Sequence, residues 1–176
     1  MENRNTFFSM KQLTHIDCPA EWQSTNDWDS HRSLIWLILE NNKEGHPFAE
    51  FGSGDGSTFL IREYAKHNHI KFESYDNDSE WASHTGTYFV NSYHKLNLLN
   101  GYILFIDGKP GEERKDLILA NKDKHIIIAH DTEPGANYVY GMADILSTFK
   151  YRIDYCPEGK PWTTAVSNFV NIEEWI

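Results

Sequence analysis

The stretch FAEFGSGDGSTFL, residues 48–60, places a short apolar run directly before three glycines at alternate positions. A segment of amphipathic helical pattern, STFLIREYAKH, begins inside it. This order predicts a strand, a tight glycine-rich turn and the N-terminus of a helix. Glycine lets a ligand approach the main chain closely, and a helix N-terminus offers free N–H groups. We therefore expect the turn to bind a ligand.

Other short apolar runs in the chain also predict strands. Five runs bounded by turn or polar residues predict strands: PFAEFG (47–52), IKFESYD (70–76), TYFVNSY (87–93), YILFIDG (102–108) and HIIIAHD (125–131). Three of them are nearly continuous in apolar residues, which is typical of parallel strands buried on both faces. Segments of helical pattern lie between several of the runs. Such alternation predicts a parallel sheet with helices on both sides.

The two ends of the chain depart from this alternation. Residues 1–28 are polar, contain scattered aromatic residues and show no clear period, so we interpret them as an N-terminal arm that covers the site from outside the core. A helix, HRSLIWLILENN, is expected to open at Asp29 or Ser30. The last predicted helix presents one face made of Tyr138, Met142, Ile145 and Phe149. KYRIDYC and TTAVSNFVNI alternate and predict an antiparallel hairpin.

Length and these patterns together set the expected fold class. A chain of 176 residues, 40% hydrophobic and 14% aromatic, has enough apolar material for one globular domain. The expectation is an α/β fold in which residues 29–176 form a single Rossmann-like domain. Its doubly wound, mostly parallel sheet carries a C-terminal antiparallel hairpin.

Charge and cysteine content limit the partners and the compartment. Acidic residues outnumber basic ones by 26 to 16, giving a net charge of −10. Anionic polymers and anionic lipids would be repelled, so we expect a small-molecule partner, no nucleic acid and no membrane. Cys18 and Cys156 are far apart and predict reduced thiols. No apolar segment is long enough for a signal peptide or a membrane span. The expected location is cytoplasmic, and the oligomeric state is left open.

The glycine spacing distinguishes two classes of ligand. A dinucleotide-binding turn has the pattern G-x-G-x-x-G, with a pyrophosphate on the helix N-terminus. Here Ser57 stands at the last glycine position, and the Asp55 carboxylate would repel a pyrophosphate. A ligand with a cationic amino-acid end fits better, because Glu50 and Asp55 favour an ammonium group. Asp76, twenty residues after Gly56 and at the end of a predicted strand, is placed to accept both hydroxyls of a ribose.

These features resemble the class I S-adenosylmethionine-dependent methyltransferases over residues 30–170. The resemblance rests on the loop FAEFGSGDGST, the acidic strand end ESYD, and the strand ends FIDG and IIAHD. It implies S-adenosylmethionine as the cofactor, with residues 84–88 flanking the adenine. The predicted cofactor-binding residues are Glu50, Gly52, Ser53, Gly54, Asp55, Gly56, Ser57, Thr58, Asp76 and Asp107.

Acidic residues also end two further predicted strands. Asp107 follows one apolar run, and His130 and Asp131 follow the next. Asp107 and Asp131 are candidate ligands of Mg²⁺ or a similar hard ion, which would lower the pKa of an acceptor hydroxyl. Without a metal, His130 is the expected general base and Asp131 orients it. Asp107, His130 and Asp131 are therefore the predicted catalytic residues, and Lys109 is the expected cation if no metal balances the two carboxylates.

The residues around Asp107 narrow the predicted function further. FIDG followed by IIAHD is similar to small-molecule O-methyltransferases, in many of which a histidine and an aromatic residue come after IDG. In this sequence Lys109 and Pro110 occupy those positions. The predicted function is O-methylation of a small-molecule acceptor. Two alternatives stay open: an oxidoreductase that uses a nucleotide cofactor, and a non-catalytic S-adenosylmethionine-binding module.

Overall fold

The computed structural model describes residues 11–176, and within them eight strands form one sheet. The strands are β1 (Lys11–Leu13), β2 (Phe48–Phe51), β3 (Phe72–Asp76), β4 (Tyr88–Phe89), β5 (Ile103–Ile106), β6 (Ile126–His130), β7 (Tyr151–Tyr155) and β8 (Thr163–Ser167). The α-helices are α1 (Arg32–Asn41), α2 (Thr58–His67), α3 (Ser79–Thr85), α4 (Arg114–Ala120), α5 (Pro134–Tyr140) and α6 (Ala143–Leu146).

The strand order is β1-β7-β8-β6-β5-β2-β3-β4. All neighbours are parallel except β8, which is antiparallel to both β6 and β7. Glu50 on β2 lies beside Phe105 on β5 and Ser74 on β3, so the carboxyl ends of these strands share one edge of the sheet. The expected α/β fold, with its mostly parallel sheet and C-terminal hairpin, is confirmed.

Alternate residues of the central strands face two separate cores. On one face, Phe105 and Ile128 pack against α1 and α2. On the other face, Leu104 and Ile127 pack against α4 and α6. Because both faces are buried, these strands lack a polar position every second residue, which explains their continuous apolar runs.

The N-terminal arm is part of the sheet and of one core. β1 pairs in parallel with β7, and Lys11 lies beside Ile153. Ile16 and Trp22 are buried in the core that α1 covers. The expectation that the arm lies outside the core is therefore wrong for residues 11–22. Residues 1–10 of the predicted arm lie outside the described residues.

The region after β6 also differs from its prediction. Gly141 adopts a left-handed backbone with φ +63° and separates α5 from α6, because such a conformation ends a helix. Met142 and Phe149 are buried as expected, but Tyr138 is 94% exposed, so the expected common face is wrong. Within residues 11–176 no helix is both long and apolar enough to cross a bilayer.

Candidate functional site

The glycine turn joins β2 to α2, and its glycines have different structural roles. Gly52 has φ +93°, and a Cβ there would collide with the backbone of Gly108, so only glycine fits. A Cβ on Gly56 would lie 2.9 Å from the carbonyl oxygen of Trp28. Around Gly54 the nearest obstacle to a Cβ is the nitrogen of Gly56 at 3.9 Å. On the side where a Cβ would stand, the turn is therefore open at Gly54 and packed against the protein at Gly52 and Gly56.

Glu50 organises the turn from below. Its side chain is fully buried, and its carboxylate accepts hydrogen bonds from the hydroxyls of Ser57, Thr58 at 2.7 Å and Ser74 at 2.6 Å. Burial raises the pKa of Glu50 to about 7, although the three hydroxyl donors oppose the shift. With its oxygens directed at these hydroxyls, Glu50 shapes the turn from inside the protein.

Asp76 fixes the first residues of the turn. One carboxylate oxygen accepts the backbone N–H of Ser53 at 2.8 Å and its hydroxyl at 2.9 Å. The other accepts the N–H of Asp78 at 2.8 Å. The Trp81 indole donates to the carbonyl of Ser53 at 2.5 Å. Asp76 is only 5% exposed, so a ribose hydroxyl could bind it only by sharing oxygens that the protein already uses.

The segment before α1 holds the other side of the turn. The Asp29 carboxylate accepts the N–H groups of Thr25 and Asn26 at 2.9 and 3.0 Å and pairs with Arg32 at 3.1 Å. Arg32 Nε in turn donates to the carbonyl of Gly56 at 2.6 Å. Thr25 and Asn26 lie in the predicted arm, whereas Asp29 and Arg32 lie at the predicted start of the first helix, and their contact with the glycine turn was not expected from the sequence.

The predicted catalytic residues do converge, directly beside the turn. The His130 Nδ1 atom lies 3.3 Å from Asp107 Oδ1 and 3.4 Å from Asp131 Oδ1. Asp131 adopts a left-handed backbone, φ 56°, which only a few residue types tolerate, Asp among them. A Cβ on Gly52 would contact the carbonyl carbon of Asp107, so this cluster and the glycine turn share a wall.

Arg114 supplies the positive charge that the two carboxylates need. It is 5% exposed, and its guanidinium lies 2.9 Å from Asp107 Oδ1 and 2.8 Å from Asp131 Oδ2. It also donates to the carbonyls of Gly108 and His130. The predicted cation, Lys109, is exposed instead. The predicted metal site between Asp107 and Asp131 is therefore not supported, because Arg114 occupies that position.

Two residues at the start of α1 complete the cluster. The Ser30 hydroxyl lies 2.9 Å from His130 Nε2 and is fully buried. The His31 ring lies edge-on to the His130 ring, with centroids 4.8 Å apart. Sequence reasoning missed both residues, together with Arg114. The only available signal was a polar Ser-His pair directly before an apolar helix.

The pKa values of the cluster follow from its charges. Burial would raise the pKa of Asp107, but His130 and Arg114 hold it well below its ordinary value. Burial would lower the pKa of His130, but Asp107 and Asp131 outweigh burial and raise it. The pKa of His31 is lowered to about 3 by burial and by the nearby His130. The ion pairs thus favour the ionised form of Asp107 and the protonated form of His130, whereas His31 stays neutral.

Known structures share this fold. The METTL16 MTase domain matches with a TM-score of 0.52 and 13% identity, over 88% of this chain and 73% of that one. A T. Thermophilus 16S rRNA N2 G1207 methyltransferase, RsmC, in complex with AdoMet and guanosine matches with a TM-score of 0.49 and 9% identity, over 77% and 38%. A human methyltransferase 10 domain containing protein matches with a TM-score of 0.48 and 12% identity, over 88% of both chains. No family model and no curated protein sequence matches the chain.

The comparisons confirm the class I methyltransferase fold and correct two finer expectations. The match to the METTL16 MTase domain supports the fold and not the narrower resemblance to small-molecule O-methyltransferases. The exclusion of nucleic acid as a partner is wrong, because it rested on the net charge of the whole chain alone. A net charge of −10 averages over the whole surface, whereas binding depends on local charge, so net charge was too coarse a criterion.

Proposed function

We propose that the chain binds S-adenosylmethionine on the glycine turn and transfers its methyl group to the oxygen of a small-molecule acceptor. The observation that carries this proposal is the open position at Gly54, next to a cluster of ionisable groups. Gly54 has free space where a side chain would stand. The N–H groups of Asp55 and Gly56 have no hydrogen-bond partner within residues 11–176. These donors suit the carboxylate of an amino-acid ligand at the N-terminus of α2.

Apart from Gly52 and Asp107, the predicted cofactor residues divide into two groups under this proposal. Gly54, Asp55 and Gly56 would contact the methionine part of the cofactor. The remaining polar residues hold these three in place through hydrogen bonds that the protein makes with itself: Glu50, Ser53, Ser57, Thr58 and Asp76. Asp76 remains the proposed ribose ligand through the oxygen that accepts only the Asp78 N–H.

The acceptor chemistry is inferred from the cluster beside the turn. S-adenosylmethionine would supply an electrophilic methyl group. A hydroxyl acceptor must lose its proton, and His130 in its neutral form would accept that proton at Nδ1, where Asp107 and Asp131 stabilise the imidazolium. The two carboxylates are about a quarter exposed, at 25% and 24%, so an acceptor can approach them from solvent. Ser30 orients the ring through Nε2.

Cofactor binding is tested by calorimetry with S-adenosylhomocysteine. Gly54→Val should abolish binding, because the side chain would fill the space that the ligand needs, and the variant should remain folded. Gly101→Val is the matched control: its Cβ would meet a His46 side-chain atom only at 3.7 Å, and it precedes β5 at the opposite edge of the sheet. Unchanged affinity in Gly54→Val would refute the assignment, as would tighter binding of a nicotinamide dinucleotide than of S-adenosylhomocysteine.

The acceptor is tested with methyl-labelled S-adenosylmethionine. The label should appear in a small-molecule extract of cells, and His130→Ala should slow this transfer roughly 10²–10⁴-fold. Label that enters RNA and no small molecule would overturn the small-molecule part of the proposal and leave the cofactor assignment intact.

A further inference from the structure

His31 has a buried imidazole that the protein does not satisfy. The side chain is 2% exposed, and neither ring nitrogen has a hydrogen-bond partner within residues 11–176. Buried polar atoms in native proteins are nearly always paired, with protein or with another ligand. A neutral imidazole has one N–H and one nitrogen with a free lone pair, so one nitrogen of His31 is available to a metal ion.

The neighbours of His31 offer the rest of a coordination sphere. One ligand atom from each of His31, His130 and Asp107 lies within 4.8 Å of the others. His130 Nδ1 and Asp107 Oδ1 are 3.3 Å apart. Ligand atoms around a tetrahedral ion with bonds of about 2.1 Å are separated by about 3.4 Å. This pair already has that spacing, and a shift of the His31 ring by up to about 1.4 Å would bring in the third ligand atom.

The surrounding hydrogen bonds would hold these ligands in place. With His130 Nδ1 directed at a metal, the Nε2–H donates to the Ser30 hydroxyl at 2.9 Å. Metal-bound histidines usually donate their second N–H in this way. Arg114 pairs with Oδ1 of Asp107 and with Oδ2 of Asp131, so an ion at this site would share the Asp107 carboxylate with the guanidinium.

We propose that His31, His130 and Asp107 bind one first-row transition-metal dication. Two imidazoles and one carboxylate suit Zn²⁺ or Fe²⁺, whereas Mg²⁺ prefers oxygen ligands alone. Three protein ligands leave a coordination position open, and the partly exposed Asp107 side chain connects the site with solvent.

This site differs in its ligands from the Asp107 and Asp131 pair expected from the sequence. It also stands apart from the methyl-transfer proposal, because the ion binds whether or not a cofactor is present. An ion at His130 Nδ1 would take the atom that accepts a proton in the mechanism above. The base role therefore belongs to the metal-free protein, and in the loaded protein the ion would lower the pKa of the acceptor hydroxyl.

The test is a calorimetric titration of Zn²⁺ into the tag-free full chain after treatment with a chelator and without cofactor. We expect one Zn²⁺ per chain and no comparable binding of Mg²⁺. His31→Gln and Asp107→Asn should each weaken Zn²⁺ binding by more than about 10-fold. Loss of a residue that only supports a metal ligand already costs about that much, and these two are ligands. Ser30→Ala should weaken it by about 10-fold.

Two controls distinguish this site from its rivals. Asp131→Asn should leave the affinity within about 3-fold, since Asp131 is not a ligand. His46→Gln removes one ring of a stacked pair with His125, whose centroids lie 3.7 Å apart, and should also leave the affinity unchanged. Loss of Zn²⁺ binding in His46→Gln, or unchanged binding in His31→Gln, would overturn the proposal.

A spectroscopic measurement on the wild-type chain gives a test that does not depend on whether the variants fold. X-ray absorption of the Zn²⁺-loaded wild-type chain should show two imidazoles in the coordination sphere. Absence of imidazole scattering, or failure of the wild-type chain to bind a stoichiometric ion, would refute the site. Neither result bears on S-adenosylhomocysteine binding, which is measured on the metal-free protein.

Discussion

Glu50 and Asp107 lie at the same edge of the sheet, yet the pKa of each shifts in the opposite direction. The surrounding protein buries both carboxyl groups away from water, and burial alone would raise both pKa values. Glu50 faces three neutral hydroxyls, which only partly oppose this effect, and its pKa rises to about 7. Asp107 faces His130 and Arg114, and its pKa falls well below its ordinary value. The neutral hydrogen-bond donors around Glu50 therefore stabilise the turn, whereas the charged groups around Asp107 form the candidate site.

The largest effect is expected when Arg114 is replaced, because two largely buried carboxylates, Asp107 and Asp131, would then lose the guanidinium that they share. Arg114→Met removes the cation from two carboxylates at once. Breaking a buried ion pair from one side destabilises a protein by about 3–5 kcal/mol. Denaturant unfolding of the wild type and the variant measures the difference in the free energy of unfolding.

A double variant checks the cause of that loss. Adding Asp131→Asn to Arg114→Met removes one of the two uncompensated charges, so part of the lost stability should return. The two changes lie in one network and should not be additive. A double variant less stable than Arg114→Met would contradict the electrostatic account and point to lost packing against Tyr140, which lies 5.1 Å from the guanidinium.

The second effect concerns Glu50 and depends on pH. The pKa of Glu50 in the folded protein is about 7, against 4.5 for an ordinary Glu. Between these values the folded state holds more protons than the unfolded state, so this group lowers the free energy of unfolding as pH rises. The contribution is absent below pH 4.5 and reaches about 3 kcal/mol above pH 7.

Glu50→Gln isolates this contribution, because glutamine keeps the shape and does not ionise. The variant should match the wild type near pH 4.5 and become more stable than it by up to about 3 kcal/mol at pH 8. Unfolding midpoints in urea at four pH values between 5 and 8 measure the divergence. A difference that stays constant with pH would mean that Glu50 is ionised throughout.

Sequence reasoning located both regions but described only one of them well. The glycine turn is contiguous, so its pattern predicts strand, turn and helix together. Asp107, His130 and Asp131 were expected to converge because parallel strand ends meet at one edge. Their partners were not foreseen: Arg114 begins a helix, and its direction depends on tertiary packing rather than on local period. The same limit applies to β1, which is only three residues long and gains its stability from pairing with β7.

The third prediction concerns Gly52, the point where the two regions touch. Gly52→Ala places a methyl group against the Gly108 backbone at a φ of +93°. Backbone strain of this kind costs roughly 1–3 kcal/mol, and the backbone contact leaves no flexible side chain to move away. Gly54→Ala is the matched control, since it has free space, and its stability should change by less than about 1 kcal/mol. Equal losses in the two variants would mean that the turn, rather than this contact, sets the stability.

The smallest effect is expected at Asp55, which makes an ion pair on the surface of the same turn. Its carboxylate lies 3.2 Å from His84 Nε2, but the two side chains are 63% and 55% exposed. Exposed pairs of this kind contribute about 0–1 kcal/mol, in contrast to the buried pairs of Arg114. Asp55→Asn should therefore shift the free energy of unfolding by less than about 1 kcal/mol, and 1 M NaCl should reduce that shift further. If Asp55→Asn instead destabilises the chain as much as Arg114→Met, burial is not what separates strong from weak ion pairs at this edge of the sheet.

Calorimetry on the same variant measures cofactor binding, because Asp55 would contact the ammonium group of the cofactor. Weaker S-adenosylhomocysteine binding without a change in stability is the result that we expect.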